Sequence, residues 1–151
     1  MMFHTHLAFG LLAALLSNYV LTPERALLFF ALVLLGSLLP DVDHPDSFLG
    51  KRTKIFALLF EHRGFLHSIY AVALAVIFGF IMFGNNSLAW ALAIGYFSHL
   101  VSDAFSKEGI MFFQPWWRFR IHGWIRTGSF LEVGFCLIIV AADLWIFFIH
   151  S

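Results

Sequence analysis

The sequence predicts an all-α protein: a polytopic membrane helical bundle of about five apolar helices with interfacial helical segments. Hydrophobic residues make up 61% of the 151 positions and charged residues only 12%, whereas a soluble domain is about half apolar and a quarter charged. Five long apolar segments follow one another between polar clusters and turn signals. The length fits one domain over residues 1–151, and the first residues lack the basic region and cleavage site of a signal peptide.

Charge and cysteine content exclude other classes. The formal net charge is zero, so no basic surface argues for nucleic acid. The single cysteine, Cys136, excludes an internal disulfide and a Cys-rich metal site. Any metal must therefore be bound by imidazole and carboxylate groups.

The first two apolar segments predict helices over residues 5–20 and 23–39. A membrane span needs roughly 20 residues, so we expect the first helix to be tilted, recessed or only partly across. Thr22 is expected to cap the second helix, with Pro23 at its first helical position.

The remaining segments predict helices over residues 65–83, 87–106 and 129–150. The sequence Gly-Asn-Asn-Ser at 84–87 predicts a tight turn between the first two of these. Ser129 and Glu132 have the spacing of a capping box at the start of the last helix.

Two connections have the composition of a membrane interface. Residues 45–63 combine basic with aromatic and aliphatic residues, which predicts a helix in the headgroup region. Residues 107–127 contain three tryptophans with Arg118, Arg120 and Arg126, a mixture typical of the interface.

Basic residues predict the orientation. With five spans, eight lie on one side: Lys51, Arg52, Lys54, Arg63, Lys107, Arg118, Arg120 and Arg126. Arg25 lies alone on the other side. Because cytoplasmic loops carry the excess of Lys and Arg, we expect a cytoplasmic N-terminus and a C-terminus outside.

Four polar clusters then fall together on the predicted cytoplasmic side. They contain six of the eight histidines and three of the five aspartates. The clusters are His4 and His6; Asp41, Asp43 and His44; His62 and His67; His99 and Asp103. Imidazole and carboxylate ligands suit zinc, manganese or iron, so we expect one or two divalent ions, zinc first.

The spacing within the clusters supports ligation to different degrees. His99 and Asp103 are i and i+4, so both can reach one ion from one helix face; a His–Asp hydrogen bond within a bundle is the alternative. Pro40 and Pro45 keep the 41–44 stretch out of regular helix, where it forms either a metal-binding turn or a solvated acidic loop.

The other histidines leave more alternatives open. His62 and His67 cannot share a helix face, so both can be ligands only if the chain turns at Gly64; otherwise they are interfacial histidines. Arg63 between them is a candidate phosphate or carboxylate partner. His6 is favoured as a ligand over His4.

Glu132 has two interpretations. It is either the capping-box residue of the last helix or a general base or ligand near the polar clusters. Asp143 shares its helix face, eleven residues on, and no role follows for it from the sequence.

The blocks His6 to Gly10, Leu39 to His44, His62 to Ser68, and His99 to Asp103 with Gly109 and Pro115 resemble the signature of one family. It is the family of LexA-regulated, membrane-bound predicted metal-dependent hydrolases, or YdjM-like proteins, of bacterial and archaeal inner membranes. Residues 127–132 are similar to its last block. The resemblance implies a metal-dependent hydrolase site formed by His6, Asp41, His44, His62, His67, His99 and Asp103. The His-x-x-x-Asp pair is also similar to helical zinc phospholipases C, as an analogy.

Together these observations predict a membrane-embedded metal-dependent hydrolase. The expected substrate is a phosphoester of a lipid or other membrane-associated molecule, with Glu132 or Asp43 as general base and Arg63, Arg118 and Arg120 binding the phosphate. A transporter would place polar groups near the bilayer midplane, and a metal-stabilised structural or regulatory protein would have a closed ligand shell. Both remain alternatives.

Overall fold

The computed structural model describes residues 1–43, 65–84, 86–117 and 119–150, and their side chains except those of Val42, Asp43 and His150. Within these ranges the regular secondary structure is helical, with five α-helices and no strand, which confirms the all-α part of the predicted fold class. The helices are α1 (Phe3–Leu21), α2 (Ala26–Gly36), α3 (Ile69–Phe83), α4 (Ser87–Ala104) and α5 (Phe130–His150). Two short 3₁₀ segments, Leu39–Asp43 and Phe65–His67, follow α2 and precede α3. The interfacial helix expected over 45–63 lies outside the described residues.

Helix α4 lies at the centre of the bundle and packs against α1, α2 and α3, whereas α5 packs against α1. Most residues of α4 from Leu88 to Asp103 are buried. Because α4 is surrounded by other helices, its polar residues His99, Ser102 and Asp103 contact protein rather than lipid, which is how such groups are accommodated in a membrane.

Glycines allow α2 and α4 to approach at backbone distance. A Cβ atom on Gly95 would lie 1.9 Å from the Val33 carbonyl oxygen, and one on Gly36 would lie 2.3 Å from the Leu92 carbonyl oxygen. Small residues at a helix crossing are typical of membrane bundles. The close approach brings the end of α2, including Ser37, against the face of α4 that carries His99.

The connection between α1 and α2 differs from the prediction. Thr22 ends α1 in a left-handed conformation, with φ of 37°, and its N–H donates to the Asn18 carbonyl. Helix α2 then starts only at Ala26, after a turn at Glu24 and Arg25. The prediction that Thr22 caps α2 was wrong, because Thr22 instead completes the last turn of α1.

Two helices, α1 and α5, are long and apolar enough to cross a membrane, and α2 and α3 are shorter apolar helices. The 11 residues of α2 extend only about 17 Å at 1.5 Å per residue, against a hydrocarbon core of about 30 Å. The structure therefore does not confirm five complete spans.

Residues 105–129, apart from Arg118, form an irregular segment beside the end of α4. Two isolated β-bridges, Ser106 with Ile125 and Ile110 with Ile121, hold it together. Ile110 and Ile125 are buried, whereas the side chains of Trp116, Trp117 and Trp124 are mostly exposed. The interfacial position predicted for these tryptophans stays a prediction.

Candidate metal centre

Five predicted ligands meet at the end of the bundle where α1 begins and α4 ends. His6 Nε2 lies 3.5 Å from Asp103 Oδ1 and 4.0 Å from Asp41 Oδ2. His99 Nε2 lies 3.7 Å from both Asp41 Oδ1 and Asp103 Oδ2, and His67 Nε2 lies 3.8 Å from Asp103 Oδ2. The ligand atoms form two overlapping triads, each within 4.8 Å: His6, His99 and Asp103; and Asp41, His67 and His99.

The five residues reach the centre from four separate elements of the fold. His6 is the fourth residue of α1, and His99 and Asp103 project from the last two turns of α4. Asp41 lies in the first 3₁₀ segment and His67 ends the second. Pro40 precedes Asp41 and prevents α2 from continuing as a regular helix, so the chain turns towards α4.

The orientation of His99 is set by the end of α2. Its Nδ1 lies 2.7 Å from the Ser37 carbonyl oxygen. A carbonyl can only accept a hydrogen bond, so Nδ1 carries a proton, and in the neutral ring Nε2 presents a lone pair to the two carboxylates. Metal-binding histidines are usually held in this way through their second nitrogen.

The orientation of His6 is set by the side chain of Ser102. Its hydroxyl donates to the His99 carbonyl oxygen at 2.8 Å and lies 2.7 Å from His6 Nδ1. Because the hydroxyl proton is already used, Ser102 Oγ accepts from His6 Nδ1–H. His6 Nε2 therefore also presents a lone pair to the carboxylates.

This donor set fits a divalent cation. His6 Nε2 and His99 Nε2 are buried and have no hydrogen-bond partner among the described residues, although each faces carboxylate oxygens. Neutral imidazole lone pairs facing carboxylates repel each other unless a cation lies between them. A proton on one ring would pair only one of the two nitrogens with a carboxylate, and protonating both rings would stack two cations with ring centroids 3.8 Å apart, whereas one divalent cation pairs both nitrogens. In a tetrahedral zinc site with bonds of about 2.0–2.2 Å, neighbouring ligand atoms lie roughly 3.3–3.6 Å apart, close to the distances found here.

Ser102→Ala is expected to lower metal affinity by roughly 10- to 100-fold, the usual effect of losing a group that orients a ligand. Without the hydroxyl, His6 Nδ1–H has no buried acceptor and the ring can rotate away from Asp103. The measurement is a competition titration with a fluorescent zinc chelator. Ser106→Ala is the matched control, because Ser106 is equally buried but donates to the Asp103 carbonyl and not to a histidine ring. Equal affinities for the parent and Ser102→Ala would show that Ser102 does not position His6.

The centre is more accessible beside Asp41 than elsewhere. The side chains of His6, His67, His99 and Asp103 are at most 2% exposed, whereas that of Asp41 is 21% exposed. The amino group of Met1 forms an ion pair with Asp103 Oδ1. Among the described residues, a molecule from outside therefore meets Asp41 first.

Five predicted site residues cannot be placed. His44, His62, Arg63 and Arg118 lie outside the described residues, as does the side chain of Asp43. Their roles as ligands, general base or phosphate partner stay predictions. His4, which was expected to be a bystander, is exposed.

Two groups that orient the histidines were missed by the sequence argument. Ser102 lies between the recognised residues His99 and Asp103, and a small polar residue on the buried face of α4 was a usable signal. The Ser37 carbonyl gave no signal, because a backbone oxygen is present at every position and only the helix crossing selects it.

Glu132 lies beside the centre and not among the ligand atoms. Its Oε1 accepts from the Met2 N–H at 2.5 Å and from Thr5 Oγ1 at 3.2 Å, and its Oε2 accepts from the Gly128 N–H at 2.7 Å. Ser129 Oγ accepts from the Glu132 N–H at 3.3 Å, as in one half of a capping box. Glu132 thus joins the starts of α5 and α1, next to His6.

Comparison with known proteins identifies the family. The family model described as YdjM inner membrane protein matches residues 1–150. The chain belongs to this family. This confirms the resemblance recognised from the signature blocks, and it confirms a membrane protein of the inner-membrane type.

The family members most similar in sequence include Inner membrane protein YdjM of Escherichia coli and of Shigella flexneri, each 35% identical over 124 residues. These alignments cover 74% of this chain and 63% of each relative. Uncharacterized protein YvsG of Bacillus subtilis is 31% identical over 102 residues, which is 64% of each chain. The chain thus spans less than two thirds of the length of the curated relatives it matches. No solved structure matches it.

Proposed function

We propose that this protein is a membrane-embedded, metal-dependent hydrolase that acts on a phosphoester, with lipid substrates ahead of soluble ones. The observation that carries the proposal is the pair of imidazole nitrogens His6 Nε2 and His99 Nε2, which face two carboxylates. Ser102 and the Ser37 carbonyl orient these rings through their Nδ1 atoms. Three histidines and two aspartates at one point form a donor set typical of hydrolytic zinc centres.

The residues in and around the metal centre have different proposed roles. His6, His67, His99, Asp41 and Asp103 would bind one or two divalent ions, zinc first, with manganese or iron as alternatives. When bound, such an ion supplies a Lewis acid that polarises a phosphoryl oxygen and makes a water molecule more acidic. Asp41 lies at the accessible edge, where the substrate would enter. Arg63, Arg118 and Arg120 are the candidate phosphate-binding residues, and Glu132 or Asp43 the candidate general base.

The membrane environment favours a lipid substrate. Inner-membrane proteins meet phospholipid phosphoesters at a far higher local concentration than soluble phosphoesters. The exposed tryptophans of residues 105–129 adjoin the end of α4 that carries Asp103, and tryptophan is enriched at the headgroup level. The proposed centre would then lie at headgroup depth.

The test uses purified zinc-loaded protein in lipid nanodiscs, assayed on a panel of phospholipids and on bis-p-nitrophenyl phosphate. We expect hydrolysis that chelation abolishes and zinc restores, and that rises with pH over the range in which an activated water deprotonates. A metal-loaded protein that cleaves no phosphoester of the panel would contradict the proposal. A closed, structural metal centre would then be the better interpretation.

Glu132→Gln is expected to retain the metal but to turn over roughly 10²–10⁴-fold more slowly, the usual cost of losing a general base. The new glutamine also places its N–H₂ group opposite either Gly128 N–H or Met2 N–H. Two donors then face each other, which costs about 1–3 kcal/mol of stability. Thr5→Val is the control, because it removes one hydrogen bond to Glu132 and leaves the carboxylate in place. Metal content, turnover and melting temperature are measured for both. If Glu132→Gln is no slower than Thr5→Val, Glu132 only joins the two helices.

We further propose a multi-pass arrangement with the N-terminus and the metal centre on the cytoplasmic side, supported by the excess of eight basic residues against Arg25. Reporter fusions after Ser151 and within residues 107–117 should then report opposite sides of the membrane. If both report the same side, α5 does not cross the membrane and the shared cytoplasmic face has to be abandoned.

A further inference from the structure

Asp143 is a buried acid that the proposed hydrolase does not use. It lies in α5, which is long and apolar enough to cross a membrane, and its residue is 4% exposed. Neither of its carboxylate oxygens has a hydrogen-bond partner in the part of the chain that the structure describes. An ionisable group at this depth is costly, and such groups usually pair with another polar group. Asp143 lies 13 residues after Phe130, which is about 20 Å along the helix. It is therefore far from the metal centre and from the headgroup level proposed for that centre.

Asp143 lines a groove of about 640 Å³ between α1, α2 and α5. Helix α1 packs against both neighbours, so it forms the floor, and α2 and α5 form the walls. The lining is otherwise leucine, phenylalanine, alanine and valine, except for His4 at one end. An apolar cavity of a few hundred Å³ with one well-placed polar group is the usual form of a small-molecule site.

The dimensions of the groove suit a single extended chain rather than a helix. Its lining on α1 runs from His4 to Leu15, about 16 Å at 1.5 Å per residue. Over that length the volume gives a mean cross-section of about 40 Å², which is room for one extended chain. Because the groove is open along one side, a helix of a second copy can cover it without entering it, and the experiment below distinguishes that occupant.

Asp143 lies towards the end of the groove away from His4. Thr5 bonds Glu132 near the start of both helices, and Leu15 shares the groove with Asp143, as expected if α1 and α5 run in the same direction. The polar group of an occupant would thus lie at one end and its apolar chain would extend along α1.

We propose that this groove binds a single-chain amphiphile whose polar group is a primary amine, a site that goes beyond the proposed hydrolase. A carboxylic acid and an amine can both enter hydrocarbon in their neutral forms. The proton then passes from the carboxyl oxygen to the amine nitrogen, which leaves an ammonium paired with a carboxylate. The ammonium supplies hydrogen bonds to both oxygens of Asp143, and such charge-assisted bonds are roughly twice as strong as neutral ones.

The experiment is native mass spectrometry of the zinc-loaded protein in detergent, titrated with dodecylamine. We expect one dodecylamine per chain, and at least tenfold weaker binding of dodecanol, which lacks the positive charge, and of dodecyltrimethylammonium, which cannot donate a hydrogen bond. Asp143→Asn should weaken dodecylamine binding at least tenfold, whereas Glu24→Gln, which removes an exposed carboxylate, should not change it.

A second pair of variants tests the groove itself. Val140→Trp should block it from its partly exposed wall, whereas Val133→Trp lies on the same helix outside the lining and should bind as the parent does. Zinc content is measured in every variant, so that damage to the metal centre is recognised separately. Equal dodecylamine binding by the parent and Asp143→Asn would overturn the proposal, as would a change in oligomeric state of Asp143→Asn with amine binding unchanged.

Discussion

His99→Ala is expected to leave the purified protein without bound divalent metal and without hydrolytic activity. His99 belongs to both ligand triads, so its loss breaks both, whereas Asp103 belongs to one of them. Losing a group that only orients a ligand costs 10- to 100-fold in affinity, and losing a shared ligand should cost more than about 100-fold. The measurement is metal content by plasma mass spectrometry after desalting.

His4→Ala is the matched control for this change. His4 lies in the same helix as His6, two residues earlier, but is exposed and outside both triads. It should keep the metal content and activity of the parent. If His99→Ala and Asp103→Ala both retain the parent stoichiometry, these residues do not bind a metal and the proposed centre is lost.

Gly95→Ala is expected to destabilise the fold by about 3 kcal/mol, the upper end of the usual overpacking cost. The new Cβ would lie 1.9 Å from the Val33 carbonyl oxygen and 2.8 Å from the Ser37 nitrogen. Both are backbone atoms, so no side-chain rotation relieves the clash and α2 must move away from α4. For a chain of this length the melting temperature should fall by roughly 6–12 °C.

The same change should also lower metal affinity, because the displaced Ser37 carbonyl orients His99. Gly134→Ala is the control: its Cβ would meet no atom of the described residues within 4 Å, and alanine in a helix is favoured over glycine by about 1 kcal/mol. It should be neutral or stabilising by thermal unfolding. If Gly95→Ala has the same melting temperature as Gly134→Ala and the parent, the close crossing of α2 and α4 is not a feature of the folded protein.

The sequence predicted the helices better than their ends. Apolar runs over 65–83, 87–106 and 129–150 became α3, α4 and α5 with small changes at the boundaries, because long apolar segments have few other ways to satisfy their backbone in lipid. The start of α2 was misplaced because Thr22 and Pro23 are equally compatible with ending one helix and starting the next. The turn at Glu24 and Arg25 depends on how α1 packs, and local spacing does not report that.

The site was predicted in its residue types but not in its organisation. His6, Asp41, His67, His99 and Asp103 were recognised because histidine and aspartate are conspicuous against apolar surroundings. The i, i+4 spacing of His99 and Asp103 placed them on one face. No spacing could bring in Asp41 or His67, which come from other segments, nor show that Glu132 bonds to the start of α1.

Composition and apolar periodicity by themselves determined the all-α membrane class and the presence of a histidine–aspartate donor set, since both follow from residue type and local backbone hydrogen bonding. The tertiary structure alone decided which donors meet, which nitrogen of each ring faces them, and which buried acid has no hydrogen-bond partner among the described residues. Those outcomes depend on the close crossing at Gly36 and Gly95 and on the packing of α5 against α1. Such contacts join residues distant in the chain, and no local pattern encodes them.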